Sequence, residues 1–545
     1  MARRRRMETG VQLRKQKREE GVAKRRNVST THSVEPCAAP ADGSPTPAPR
    51  RTYKRSEIPA LTALLWSADP ADRHDGARGL RKLLSVEADP PARVVVDAGA
   101  LPGLVALLSL EGHKDAQFEA AWALTNVASS DLTASVADSG AIPPLCALLM
   151  HAEPDLREQS AWCLGNVAGD CTTLRDAVIA GGAADGLLAN IAQPHSMSLL
   201  SNTVWALSNL CRGKPQPPAE LNLVGRVAPA LAAALRHDDE KVREAVQVDS
   251  AWALSYLSDG DDSRIEAVVA AGVVVPLVGL LWSDNNTVVT PALRALGNIV
   301  TGSDGPTQAV IEGGALPALA ALTRHARKNI RKEACWTISN IAAGTPRQAS
   351  FTEKKAGIDA LCACEGLMAG VVDQLAAGEY EVQKEAAWVL SNACTGGAAR
   401  HVAALVAAGA IPALCRMLTL PDARLVMACL EGLEALLKHD TAADGAYVRA
   451  IDEADGLDAL SDLQNHQNEK IYERAARILE TYFGADSDED DDWTANGGGS
   501  GAENLAPQAG GVGATTFSFG GGLAAGGGGV LGESNRGGFN FSNVF

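Results

Sequence analysis

Apolar residues recur at helical spacing along most of the chain. In the segment 140–180, for example, Leu145, Leu148 and Leu149 stand at positions i, i+3 and i+4, and Pro143 suits the first turn of the helix that they predict. After polar breaks the spacing resumes. Two further helices are predicted here, over 156–168 and 174–180. The pattern lacks strand-like alternation, so we predict an all-α fold.

Two short phrases return along the chain at nearly constant intervals. Gly-Ala-Ile/Leu-Pro begins at Gly99, Gly140, Gly314 and Gly409. Trp-x-x-x-Asn begins at Trp122, Trp162, Trp205, Trp336 and Trp388, while Trp252 is followed by Tyr256 and Arg294 by Asn298. Successive anchors lie 40, 43, 47, 42, 42 and 52 residues apart. One unit of about 42 residues is therefore repeated.

Three helices in about 42 residues is the period of armadillo repeats. A single unit cannot cover its own apolar faces, so neighbouring units must stack. We predict an armadillo-repeat, right-handed superhelical solenoid of about ten repeats with a long concave groove. Composition places this repeat domain at 56–484. A basic segment and linker at 1–55 precedes it, and an acidic, then Gly-rich tail at 485–545 follows; both are predicted to be flexible.

The Trp and Asn of the second phrase project from one helix face because they lie four residues apart. One pair per repeat would form a row of indoles and carboxamides, and this row suits an extended peptide. Asn offers a donor and an acceptor to a bound backbone, and Trp rings favour Lys or Arg cations. Acidic residues recur beside the row, at Asp170, Asp249, Asp304, Glu333 and Glu385. We therefore expect solvent-facing rings that bind an extended cationic ligand.

The net charge of −16 is unevenly distributed. Residues 1–55 contain 15 Lys and Arg against five Asp and Glu, a net charge of +10, so the remaining residues carry −26. An acidic body favours a cationic ligand and repels nucleic acid. The tethered basic segment meets its own groove at a roughly millimolar effective concentration, so it should compete with outside ligands.

Several other classes of protein are disfavoured. The sequence has no His-Glu-x-x-His, no metal-spaced Cys-x-x-Cys pair and no phosphate loop that opens a helix, so we expect no enzyme, metal or cofactor. Eleven Cys residues are scattered, several of them in apolar patterns, as in intracellular proteins with reduced thiols. The apolar, uncharged run 267–282 contains Gly272 and Pro276 and falls short of the roughly 20 apolar residues of a membrane span.

Alternative interpretations stay open at this point. A recurring Trp alone is more often a core residue, although an Asn four residues later in five repeats favours a groove, since a buried amide needs a partner in every unit. A general armadillo scaffold for protein–protein interaction is a second possibility, but it has no use for a basic arm. Nucleic-acid binding through residues 1–26 is a third. Arg294 either divides the groove or pairs with a nearby acid.

Longer segments carry a family resemblance. In the arm they are Leu-Arg-Lys-Gln-Lys-Arg-Glu-Glu at 13–20 and Lys-Arg-Arg-Asn-Val at 24–28. In the repeats they are the segments 122–126, 162–170, 291–302, 331–340 and 471–476. Over residues 1 to about 492 the chain resembles importin-α, the family of nuclear import adaptors. The resemblance implies an armadillo fold and a role in binding cargo.

The resemblance implies two sites for the nuclear localisation signals of cargo proteins. It places the major site on Trp122, Asn126, Thr133, Trp162, Asn166, Asp170, Asn202, Trp205, Asn209 and Asp249, with Asp170 taking the key Lys. It places the minor site on Arg294, Asp304, Glu333, Trp336, Asn340, Glu385, Trp388 and Asn392.

The resemblance also assigns roles to the two ends of the chain. In this family the N-terminal segment binds importin-β and, when free, folds back into the cargo groove. The corresponding residues are Arg14, Lys15, Lys17, Arg18, Lys24, Arg25 and Arg26. The final repeat and the acidic stretch 486–492 resemble the region that engages a nuclear export receptor of the importin-β superfamily. A protein of this kind shuttles between cytoplasm and nucleus.

The chain departs from the family pattern in places. The segment 242–252 is about four residues longer, and the unit from Trp336 to Trp388 is about ten residues longer. Lys241 stands where the family usually has an acid. The segment after Asn126 is about two residues shorter, which bears on the assignment of Thr133.

Overall fold

The structure is a computed structural model that describes six ranges of the chain. They are 52–86, 89–218, 222–237, 243–343, 351–440 and 445–484, and for 351–355 only the backbone is described. The basic residues predicted between Arg14 and Arg26, Lys241 and the tail from residue 485 lie outside these ranges. Within them the regular elements are helices and no strand occurs, which confirms the all-α prediction.

The described ranges contain 28 α-helices after a 3₁₀ turn at Arg55–Glu57. They are α1 Ile58–Leu64, α2 Pro70–Leu84, α3 Ala92–Asp97, α4 Ala100–Leu108, α5 Lys114–Ala128, α6 Thr133–Asp138, α7 Ile142–Leu148, α8 Pro154–Asp170, α9 Thr172–Ala180, α10 Ala183–Ala192, α11 Met197–Cys211, α12 Leu223–Ala234, α13 Arg243–Leu257, α14 Asp262–Ala270, α15 Val274–Leu280, α16 Asn286–Ile299, α17 Asp304–Glu312, α18 Ala315–Leu322, α19 Lys328–Ala343, α20 Phe351–Ala363, α21 Leu367–Ala377, α22 Tyr380–Gly396, α23 Ala399–Ala407, α24 Ala410–Met417, α25 Ala423–Leu437, α26 Ala446–Asp452, α27 Gly456–Leu463 and α28 Glu469–Tyr482.

Ten of these helices are the longest of their repeats, and we term them the ladder helices. They are α2, α5, α8, α11, α13, α16, α19, α22, α25 and α28. All the Trp-x-x-x-Asn phrases lie on them. Most ladder helices follow two shorter helices, so the described residues confirm the three-helix period and the prediction of about ten repeats.

The chain divides into two compact units, whose described residues are 52–257 with 270–273, and 258–269 with 274–484. In the first unit the ladder helices pack in order, α2 on α5, α5 on α8, α8 on α11 and α11 on α13. In the second unit α16 packs on α19, α19 on α22, α22 on α25 and α25 on α28. In both units, most of the shorter helices that directly precede a ladder helix also contact one another, so they form a second row beside the ladder helices. Each unit therefore shares an apolar core between rows of helices.

The Gly-Ala-Ile/Leu-Pro phrase marks the turn into the second helix of a repeat. Gly99 and Gly140 have φ of 75° and 82°, a left-handed conformation that costs other residues about 1–2 kcal/mol. Pro143 then lies in the first turn of α7, where its missing N–H is not needed. The same conformation recurs at Gly182, Gly272, Gly314, Gly366 and Gly409. The repeated phrase is therefore a backbone requirement.

Helix α8 shows how the ladder positions its polar end. The sequence predicts a helix over 156–168 that breaks at Gly169, but the observed helix continues to Asp170. It ends there because Cys171 adopts an extended conformation, with φ −151° and ψ 166°. The carboxylate of Asp170 is thus exposed at the C-terminal end of a ladder helix whose Leu164 and Val167 are buried.

Candidate functional site

Asparagines of the Trp-x-x-x-Asn phrase connect neighbouring ladder helices. Asn166 on α8 donates from Nδ2 to the carbonyl oxygen of Thr125 on α5 at 3.1 Å, and Asn209 on α11 does the same to Gly165 on α8 at 3.0 Å. Each acceptor directly precedes the Asn of the neighbouring helix. Asn166 and Asn209 are buried, so these bonds join successive ladder helices inside the first unit.

The same register appears at two other places in the ladder. Asn392 on α22 donates to the carbonyl oxygen of Ser339 on α19 at 3.1 Å. Asn126 on α5 donates to Oγ of Ser85, just beyond α2, also at 3.1 Å. Four ladder asparagines are thus tied to the preceding ladder helix, three in the first unit and one in the second.

The tryptophans are less open than the sequence predicts. Trp162, Trp252 and Trp388 are half-buried. The prediction that the rings face solvent is wrong for the other three Trp residues. Trp122 is 4%, Trp205 is 1% and Trp336 is 7% exposed. These three rings are packed into the helix layer instead of projecting from it.

Glycine on the preceding ladder helix explains this burial. A Cβ on Gly165 would lie 2.5 Å from Cζ3 of Trp205, and a Cβ on Gly297 would lie within 3 Å of the ring of Trp336. Each ring therefore packs against backbone at a position where any side chain would displace it. The Trp252 ring instead stacks on Tyr256, with centroids 5.9 Å apart and planes inclined by 22°.

The ring of Trp122 is covered by a cation, the guanidinium of Arg81. The guanidinium carbon of Arg81 lies 4.4 Å from the centroid of the Trp122 ring. The same guanidinium donates from Nε and Nη2 to the carboxylate of Glu119, at 2.5 and 2.9 Å. Neither Arg81 nor Glu119 is among the site residues predicted from the sequence.

Arg294 makes an equivalent pair in the second unit. Its Nε and Nη2 donate to the two carboxylate oxygens of Glu333 at 2.9 and 2.8 Å. Of the two alternatives left open by the sequence, pairing with a nearby acid is the one observed. The carboxylate of Glu333 is therefore already paired with a cation of the chain itself. This differs from the expectation of a carboxylate that is open to a ligand.

The acids of the first unit have different surroundings. Asp170 is exposed, whereas Asp249 is only 6% exposed. Glu158, which the sequence analysis missed, accepts hydrogen bonds from Oγ of Ser198 at 2.5 Å and from Nδ2 of Asn202 at 3.1 Å. It lies four residues before Trp162, so the spacing that revealed the Trp–Asn pairs could have revealed it.

Thr133 is placed differently from the expectation of a ligand-assisting residue. Its side chain is 1% exposed at the start of α6. Its hydroxyl donates to the carbonyl oxygens of Ala128 at 2.8 Å and Ser130 at 2.9 Å. The hydroxyl hydrogen therefore serves the local backbone between α5 and α6.

Glu385 on α22 is the acid with the clearest shift in protonation. Burial raises its pKa to about 7, and the nearby carboxylate of Glu333 adds to this, while the cations of Lys332 and Lys384 oppose it. Lys332 is itself only 7% exposed. A ligand cation close to Glu385 would therefore favour loss of its proton.

Asn340 on α19 contains an unusual polar group. Its side chain is 7% exposed, and its Nδ2 has no hydrogen-bond partner within the described ranges. A buried amide donor without a partner costs about 1–3 kcal/mol, so it is a position where a ligand acceptor would be stabilising.

The remaining predicted residues lie on the expected elements. Trp388 and Asn392 are half-buried on α22, and Asp304 is the half-buried first residue of α17. The described residues contain no cluster of His, Cys, Asp and Glu able to hold a metal ion. In those same ranges no single helix has both the length and the apolar character to cross a membrane, and two bent helix pairs reach these limits only together.

Family comparisons cover most of the chain. Residues 1–77 match the importin beta binding domain, and 446–497 match the atypical Arm repeat. The armadillo/beta-catenin-like repeat matches at 88–129, 129–169, 261–301 and 303–343. The crystal structure of an engineered protein, 28% identical, covers 78% of this chain and 98% of its own with a TM-score of 0.68. These matches confirm the armadillo fold.

Two relatives from rice, Oryza sativa subsp. japonica, extend this likeness over nearly the whole length. Importin subunit alpha-1b is 42% identical over 448 residues, which is 80% of each chain. Importin subunit alpha-1a is 43% identical over 500 residues, which is 90% of each chain. Because identity of this degree spans most of both proteins, the chain belongs to the importin-α family of nuclear import adaptors.

Proposed function

We propose that the ladder side chains bind the Lys- and Arg-rich nuclear localisation signals of cargo, and that residues 1–55 link the cargo complex to importin-β. The observation that carries the proposal is the amide of Asn340, a buried donor that has no partner among the described residues and that a peptide carbonyl would satisfy. The recurrence of Asn126, Asn166 and Asn209 on successive ladder helices supports an extended ligand in the first unit.

Charge supports a basic ligand in both units. In the first unit, Asp170 is exposed and Glu158 is half-buried beside Trp162. In the second unit, Glu385 offers a carboxyl whose ionisation a cation would favour. Half-buried Trp162 and Trp388 present ring surface for the stems and charges of Lys or Arg.

We also propose that the basic segment inhibits cargo binding when importin-β is absent. The segment carries +10 and its importin beta binding domain match covers residues 1–77. Capture of the segment by importin-β would free the groove, which is a shift between bound populations that needs no bond chemistry. Release of the adaptor would use an export receptor at the final repeat, α26–α28, together with 486–492, and the protein would shuttle between nucleus and cytoplasm.

The central test compares peptide binding by the full chain and by a chain lacking residues 1–55. A Lys-rich localisation peptide is titrated against both and followed by fluorescence anisotropy. We expect tighter binding by the shortened chain, and addition of importin-β should bring the full chain to the same affinity. Equal, tight binding by both chains would refute the autoinhibition. Strong salt-dependent binding of RNA or DNA with no preference for the peptide would favour the nucleic-acid alternative.

Asp170→Lys tests the major site. Replacing an exposed carboxylate with a cation should weaken binding of a peptide with a single basic cluster by about tenfold or more, with the fold intact by circular dichroism. Asp97→Lys is the matched control, because Asp97 is an exposed Asp at the end of α3, which is not a ladder helix. Unchanged affinity in Asp170→Lys would show that the major site is assigned to the wrong residues.

A further inference from the structure

Arg81 takes the place of a tryptophan in the first ladder helix. It lies four residues before Ser85, which accepts the hydrogen bond of Asn126. Ser85 therefore stands at the ladder position of Asn, and Arg81 at that of Trp. The first ladder helix thus presents a cation where the next four, α5, α8, α11 and α13, present an indole.

The guanidinium of Arg81 contacts the two kinds of group that a ligand cation would use. It lies over the ring of Trp122, 4.4 Å from the centroid, and it is bidentate to Glu119. The side chains of Arg81 and Glu119 are 12% and 10% exposed. A ring face and a carboxylate are therefore already satisfied by a residue of the chain itself.

The second unit repeats this arrangement. Glu333 lies three residues before Trp336, as Glu119 lies three before Trp122, and it forms the same bidentate pair with an arginine at the Trp position of the preceding ladder helix. The repetition indicates a specific device, because a chance surface pair would not recur at the same register.

We infer that Arg81 is a built-in ligand that closes the row of cation sites at Trp122 and so limits how many basic residues a bound peptide can seat. The inference rests on the proposed function. A peptide Lys that bound between Trp122 and Glu119 would have to displace Arg81 from Glu119. The largely buried guanidinium of Arg81 would then lack its counter-charge. Arg81 is thus a specificity-determining residue that sets where a basic peptide stops.

The test uses the full-length chain and three peptides. One has five consecutive Lys residues in a neutral sequence, and the other two carry a sixth Lys at one end or the other. In the wild type we expect the sixth Lys to change the dissociation constant little at either end. In Arg81→Ala one of the two longer peptides should gain about fivefold over the shorter one. The ratio within one variant cancels any constant competition from the basic segment.

Three further variants separate the outcomes. Arg81→Ala with Glu119→Gln should lose the gain, because the freed site then has no carboxylate. Arg81→Met keeps an apolar stem on Trp122, so it replaces Arg81→Ala if the latter fails to fold, and it should show the same gain in smaller measure. Arg93→Ala, which removes an exposed arginine paired with Asp131, should behave as wild type.

The result that overturns the inference is an unchanged ratio in Arg81→Ala and Arg81→Met while all peptides bind. A gain of the same size in Arg93→Ala would overturn it as well, since it would reflect net charge alone. If the wild type binds none of the peptides even after importin-β is added, the proposed function itself fails, and this inference fails with it.

Discussion

Single asparagines in the ladder have a structural role as well as a proposed binding role. A buried amide that recurs in every repeat needs a partner in every repeat. Asn166 and Asn209 have such a partner, a backbone carbonyl oxygen of the preceding ladder helix. Their recurrence alone is therefore weaker support for a ligand than it first seems. Asn340 is stronger support, because its Nδ2 lacks such a partner within the described part.

Glu385 should make the proposed binding in the second unit depend on pH. Its pKa is about 7 in the folded chain against an ordinary value of 4.5. A bound Lys favours the charged carboxylate, so affinity should rise as the pH increases through about 7. The folded state holds more protons between the two values, so this group's contribution to stability falls from about pH 4.5 to about 7 and is constant above.

The measurement is titration of a His-free Lys peptide at pH 6, 7 and 8, in an Asp170→Lys background that removes the major site. We expect Glu385→Gln to bind as weakly at pH 8 as the parent does at pH 6. Glu312→Gln is the control, because Glu312 is exposed at the end of α17 and is not among the charges that shift the pKa of Glu385. If the parent shows the same affinity across this range, Glu385 does not contact the ligand.

At the scale of elements, helical spacing predicted the helices well and their contacts poorly. The repeat period and the three helices of the segment 140–180 followed from local pattern. The packing of the Trp205 ring against Gly165 could not be predicted from local pattern. The two residues lie 40 positions apart, and a glycine in a helix does not indicate which side chain will cover it. The sequence does not reveal the role of Arg81, because the Trp-x-x-x-Asn phrase is absent from α2 and only the bond from Asn126 to Ser85 shows that Arg81 stands at the Trp position.

Gly165→Ala tests the spacing of ladder helices α8 and α11. The new Cβ would lie 2.5 Å from the Trp205 ring, so the ring must move. We expect a loss of about 1–3 kcal/mol in stability and weaker peptide binding in the first unit. Because solenoids unfold in parts, the measurement is hydrogen exchange of α8 and α11, with urea unfolding as support.

Gly279→Ala is the matched control for this substitution. Gly279 also lies in a helix, α15, but a Cβ there meets nothing within 4 Å. Alanine should be neutral or slightly stabilising, by about 0.5–1 kcal/mol at most. If both variants lose the same amount of hydrogen-exchange protection, the loss comes from placing alanine in a helix and not from the contact with the Trp205 ring.

At the scale of the whole molecule, charge is divided unevenly along the sequence. The arm of 55 residues carries +10 and the rest −26, and composition alone predicted this division and its consequence for ligands. The assignment of Arg14, Lys24 and Arg25 to self-binding lies outside the described ranges and stays a prediction. It depends on long-range pairing between a basic segment and a distant acidic surface, which no local pattern fixes.

A quantitative prediction follows from the tether. If the arm competes for the groove, a separate peptide of residues 1–55 should also inhibit cargo binding by a chain that lacks them, with some inhibition constant. The full chain should then bind cargo more weakly by about 1 mM divided by that constant, because a flexible tether supplies a roughly millimolar effective concentration. Both quantities come from competition titrations at one salt concentration, and both should shrink as salt screens the opposite charges. A separate peptide that inhibits strongly, beside a full chain that binds cargo as tightly as the shortened one, would mean that the tethered arm cannot reach the groove.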